Sequence, residues 1–93
     1  MGNKFTTKAE VKDIGPLVQI KRTMKPDLFK RVITLDVEGG LFFPEIRNNN
    51  IKVIEREGIE VGSFVEIEYS FQGTIKDGKR YNNILIESIK NLY

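Results

Sequence analysis

The sequence predicts an all-β fold, a small barrel of five strands with one short helix, from three observations. Between Phe64 and Gln72 the apolar Val65, Ile67, Tyr69 and Phe71 alternate with Glu66, Glu68, Ser70 and Gln72, the period-two pattern of a strand with one buried face. A second run from Tyr81 to Lys90 follows a basic turn containing Asp77-Gly78, whose residues tolerate the positive φ angles of a tight turn, so residues 63–90 read as one long β-hairpin. Helix signals are confined to one short stretch, Ile51 to Gly58.

The remaining elements follow in order. Phe5 to Ile14 reads as a strand that continues past Gly15-Pro16 into Leu17-Val18-Gln19-Ile20. Ala9 and Val11 share a face and Ile14 falls out of phase, so a bulge or bend near Asp13 to Pro16 is expected to return Ile14 and Leu17 to the interior. An ordinary loop between two strands is the alternative. Thr23 to Leu28 reads as a loop, because Pro26 removes a donor and holds Lys25 extended. Phe29 to Val37 is a second strand, with Ile33, Leu35 and Val37 facing the core. Glu38-Gly39-Gly40 turns the chain into a third, Leu41 to Arg47, where Pro44 marks an edge or a bulge. Its facing is ambiguous: Phe42 and Phe43 point to opposite sides, one inward and one to solvent. Asn48-Asn49-Asn50 supplies an N-cap for the helix that ends at Gly58, and Ile51 and Ile54 form one apolar stripe to plug a barrel end or cover a sheet.

A chain of 93 residues fits a single domain spanning 1–93. With no cysteine and no histidine it has neither disulfides nor thiolate or imidazole ligands. No cofactor, no metal and no enzymatic activity are expected. The enzymatic alternative is a metal-dependent nuclease built on Asp36 and Glu45, although carboxylates on neighbouring strands are more often solvent-facing. No apolar run approaches the roughly 20 residues of a membrane-spanning helix, and no secretory signal is present, so a soluble, cytoplasmic protein without membrane contact is expected.

The net charge of +2 says less than its distribution. Lys21, Arg22, Lys25, Lys30 and Arg31 cluster against Asp27 alone, whereas Glu55, Glu57, Glu60, Glu66 and Glu68 gather against Arg56 alone. The element order, three strands, a short helix and two strands with a kinked first strand, is that of the OB-fold, a five-stranded Greek-key barrel. Its nucleic-acid face is formed by the second and third strands with the first-to-second and fourth-to-fifth strand loops, here residues 22–28 and 73–81. Both are basic, through Arg22 and Lys25 in one and Lys76, Lys79 and Arg80 in the other, and they are expected to converge in space. The acids fall on the helix and the outer side of the fourth strand, away from that groove. The candidate binding residues are Lys21, Arg22, Lys25, Lys30, Arg31, Arg47, Lys76, Lys79 and Arg80 for phosphates, with Phe43 and Tyr81 for stacking. Phe29 and Phe42 are further aromatic candidates, and for each ring core packing competes with stacking.

Val11-Lys12-Asp13-Ile14-Gly15-Pro16-Leu17, Phe29-Lys30-Arg31, Val61-Gly62-Ser63-Phe64-Val65 and Gly73 followed by Asp77-Gly78-Lys79-Arg80-Tyr81-Asn82-Asn83 resemble small bacterial and phage OB-fold single-stranded DNA-binding proteins. The resemblance spans almost the whole chain through loose strand patterns. It implies that Lys30, Arg31 and Lys76 to Tyr81 contact DNA, that the protein coats single strands in replication, recombination or repair in a bacterial cell or phage-infected host, and that it forms a homo-oligomer. Two departures stand against it: there is no tryptophan for stacking, and the sequence ends Asn91-Leu92-Tyr93 without an acidic tail, so recruitment of partners by a tail is not expected. An RNA-binding OB module and a protein-interaction or assembly domain are the alternative functions.

Overall fold

The computed structural model describes residues 3–92. Its elements are β1 (Phe5–Ile14), β2 (Val18–Ile20), β3 (Leu28–Val37), β4 (Gly40–Phe42), β5 (Glu45–Arg47), a 3₁₀ turn (Asn48–Ile51), α1 (Lys52–Arg56), β6 (Phe64–Lys76) and β7 (Lys79–Asn91). Five strands close a ring in which β1 pairs with β3, β3 with β5, β5 with β7, β7 with β6 and β6 with β1, all antiparallel except β5 with β7. β2 and β4 lie along β3, so the first and third barrel strands are each interrupted once. This is the OB barrel that the element order predicts.

β1 serves two neighbours because it bends. Its first part pairs with β6 up to Glu10, and from Glu10 onward it pairs with β3, with a bulge between Val11 and Asp13. The bulge restores the inward phase and sets Ile14 opposite buried Ile33. At Gly15 the N–H donates to the Val32 carbonyl at 2.8 Å. A Cβ on Gly15 would stand 2.8 Å from that same oxygen, a separation real Cβ atoms do not adopt, so glycine permits the close approach. Leu17, expected inside, is 54% exposed. β2 pairs with Leu28–Lys30 only, and Leu17, just before it, lines an open depression with Arg22, Phe29 and Ile51 instead of the barrel interior.

Between β4 and β5 the register against β3 does not change: Phe42 faces Leu35 and Glu45 faces Val32. The interruption is Pro44, which has no N–H to give, while its carbonyl accepts the Ile33 N–H at 2.9 Å. This register settles the phenylalanines. Phe42 turns inward beside Tyr69, and Phe43 turns out.

The core contains Ala9, Val11, Ile33, Leu35, Ile46, Val65, Ile67, Ile86 and Ile89 from the strands, with Ile54 of α1 and Ile59 beyond it closing one barrel end. α1 ends as the sequence indicates. Gly58 N–H donates to Glu55 O at 3.0 Å and Ile59 N–H to Ile54 O at 2.9 Å, a Schellman motif whose hydrophobic contact is Ile54 with Ile59. Its start differs: the three asparagines form the 3₁₀ turn itself, and no side chain caps it. Asn48 instead uses its Oδ1 on β3, accepting the Phe29 N–H at 3.2 Å.

The hairpin is longer than its alternating core. β1 leaves β6 at Tyr69 and β5 touches β7 at Leu85, so residues 71–84 pair in the sheet only with one another and project as an arm. Asp77 and Gly78, at φ 52° and 76°, make a two-residue turn at its tip. Residues 73–81 are therefore mostly ribbon rather than loop. The molecule measures 41 × 24 × 23 Å.

Candidate nucleic-acid interface

The register sorts the basic residues onto two faces. Opposed residues in a ladder share a face, so Lys30 and Arg47 lie side by side on the outer surface of the barrel, with Val32 and Glu45 next to them and Leu85 beyond. Along the arm the same face continues through Gln72 with Asn83, Thr74 with Tyr81 and Lys76 with Lys79. Arg80 falls on the other face, with Phe71 and Ile75, and Arg31 turns toward Ile46 and the barrel interior, where its Nε is buried without a hydrogen bond. The cations that sequence reading grouped are thus divided.

Where β5 and β7 part, a cleft of about 400 Å³ opens between Leu41, Phe42 and Phe43 on one side and Asn82, Asn83 and Ile84 on the other, over Lys30, Val32 and Glu45. Phe43 is 60% exposed and Tyr81 46% exposed, so both present ring surface to solvent. Asn83 Nδ2 donates to Thr74 Oγ1 at 3.4 Å across the ribbon. Exposed rings, amide groups and an ammonium around one cleft suit an unpaired nucleotide chain, whose bases stack and whose phosphates need cations.

The loop of residues 21–27 lies beyond the N-terminal end of β3, whereas the arm projects level with its C-terminal half. The two basic segments bracket the face from opposite ends and do not converge. Lys21 and Lys25 are exposed on the loop, and Arg22 Nε donates to Pro26 O at 2.9 Å. Arg22 and Phe29 line a second depression of about 580 Å³ with Leu17, Ile51 and Lys52.

Sequence reading missed the acid in the cleft. Glu45, on the outer face, is buried and binds the Arg47 guanidinium at 3.0 Å. Its facing could not be read past Pro44, which hides the strand's phase. Asn82 and Asn83 were legible only as turn-adjacent polar residues, since their place beside Phe43 depends on β5 and β7 meeting. Asp36 and Glu45 do not form a pair: they stand opposite Leu41 and Val32 at different levels of the sheet, and Asp36 Oδ1 accepts the Gly39 N–H at 2.7 Å. Among the described residues no cluster of three potential metal ligands occurs.

No protein-family model matches the chain, and no curated protein matches it. Solved structures do. The chain is similar to the second OB-fold domain of replication protein A from Methanococcus maripaludis, with TM-score 0.66 and 15% identity over 98% of this chain and 85% of that one. It is also similar to the mitochondrial single-stranded DNA binding protein Rim1 of S. cerevisiae, with TM-score 0.63 and 12% identity over 99% and 97%. A third likeness is to the N-terminal domain of PriB from Thermoanaerobacter tencongensis, a dimeric structure, with TM-score 0.55 and 17% identity over 98% and 97%. These likenesses establish the class as the OB fold.

Proposed function

We propose that the chain is a non-enzymatic protein that binds single-stranded DNA largely without sequence preference, coating it during replication, recombination or repair. The observation that carries this reading is the cleft, in which Phe43, Asn82, Asn83 and Lys30 share one wall system on the face that continues to Lys76, Lys79 and Tyr81. Phosphates would be neutralised by the lysines, and bases would stack on Phe43 and Tyr81 without a hydrogen-bond code. The likeness to structures named for replication protein A and for a mitochondrial single-stranded DNA binding protein supports it.

The test is fluorescence anisotropy of labelled oligo-dT titrated with the protein at low and moderate salt, against duplex DNA and RNA of matched length. Single strands should bind, more weakly as salt rises, with duplex a poor competitor. Equal competition by RNA would assign the face to single-stranded nucleic acid generally, and absence of binding at low salt would end this reading. One observation favours a further protein contact. Phe5, Phe71 and Ile75 are exposed apolar residues around the inner side of the arm, which fits self-association into a homo-oligomer, and sedimentation across a concentration series tests it.

A further inference from the structure

Glu45 is the one charged residue that is buried among the described residues, and it lies under the cleft rather than in the core. Its neighbours across the ladders are Val32 and Leu85, so little water screens its charge. Two cations face it and are held differently. Arg47 donates from Nη2 to Glu45 Oε1 at 3.0 Å and from Nη1 to Gln72 Oε1 at 3.2 Å, which ties β5 to the arm. Lys30 Nζ stands 3.5 Å from Glu45 Oε2, yet that oxygen accepts no hydrogen bond. Arg47 is therefore anchored by geometry and Lys30 by charge alone.

An ammonium without an aligned hydrogen bond loses little directional energy on leaving, whereas a guanidinium bridging two acceptors would leave both unsatisfied. We propose that Glu45 limits the affinity of the cleft: it neutralises Lys30 in the free protein, and an incoming phosphate must draw Lys30 away from it. This rests on the single-strand-binding reading above. The three groups carry one net positive charge in place of two, so the cleft holds a strand less tightly than its lysine and arginine would alone. Bound strand stays readily exchangeable as a result.

Glu45→Gln keeps an oxygen acceptor for Arg47 and the side-chain size while removing the charge. Its affinity for oligo-dT should rise about three- to fivefold at low salt, the order of one partly exposed ion pair. The plot of log affinity against log salt should keep its slope, because Lys30 meets the same phosphate in both proteins. In a Lys30→Met background the same substitution should give a clearly smaller gain. Folded Glu45→Gln protein that binds equally or more weakly, or a gain undiminished by Lys30→Met, overturns the proposal. A measurement on the unaltered protein guards against a variant that does not fold: oligo-dT should shift the NMR signals of the Lys30 side chain and leave the Arg47 Nε signal in place, and an unmoved Lys30 overturns it. If the unaltered protein binds no oligo-dT, the proposed function falls and takes this inference with it; if it binds and the variants fail as stated, only this inference falls.

Discussion

Phe42 and Phe43 are adjacent and chemically identical, and their roles are separated by which side of β4–β5 each occupies. Phe42 packs on Tyr69 with ring centroids 5.9 Å apart, whereas Phe43 turns its ring to solvent at the cleft. Phe43→Ala should weaken oligo-dT binding by about 1–3 kcal/mol, the worth of one stacked base, with an unchanged melting temperature. Phe42→Ala should do the reverse, lowering stability by about 2 kcal/mol or more through lost packing. Anisotropy and thermal melts on the same two proteins check both. Gly15→Ala forces a methyl into contact with the Val32 carbonyl and should cost about 1–3 kcal/mol in urea denaturation, the range of overpacking. The need for a glycine there was legible only as a bend signal, because the oxygen it approaches belongs to a strand distant in sequence.

The arm is the element on which the proposed binding and stability part company. Its residues pair only across the hairpin, and Phe71, Ile75 and Tyr81 are exposed, so it contributes little to the core. Amide exchange should be faster from 71–76 and 79–84 than from the β1–β3 and β3–β5 ladders, which proteolysis-coupled mass spectrometry resolves. Lys76→Gln with Lys79→Gln should reduce the salt slope of binding by about 1.4, two phosphates' worth on a single strand, and leave the melt unaltered. Arg80→Gln, on the opposite face, should change the slope less. Alternation and the Asp77-Gly78 turn made the hairpin readable in advance. How far it projects was not, since that depends on where β1 and β5 stop.

Across the whole molecule, the core and the proposed binding face occupy opposite surfaces of the same ring. Every ring strand contributes to one buried cluster, including Val11 of β1, Leu35 of β3, Ile46 of β5, Val65 of β6 and Ile86 of β7. Leu35→Ala should therefore destabilise by about 2–5 kcal/mol and lower the melt as one cooperative transition, with fluorescence and circular dichroism midpoints coinciding. Opposite that core, Lys30, Arg47, Lys76 and Lys79 share the outer face, while Glu55 and Glu57 lie on or beside α1 and Glu66 and Glu68 on β6. A small net charge distributed this way still gives a directional field.

Period-two alternation, a helix-ending glycine and turn dipeptides are local properties, and they determined the five barrel strands, the single short helix, the core faces of β3 and of β6 as far as Tyr69, and hence the OB order. Phe71, in phase with that face, is exposed because the arm has left the barrel. What only the tertiary structure decided depends on neighbours remote in sequence. Register against β3 turned Phe43 outward and Glu45 into the cleft, although proline had masked the phase of their strand. Strand ends determined that Leu17 lies outside the core and that the basic loop and arm stand at opposite ends of one face. Ladder pairing divided Lys79 from Arg80 and Lys30 from Arg31, because residues adjacent in an extended strand point to opposite sides, and only the assembled ring defines which side is outside.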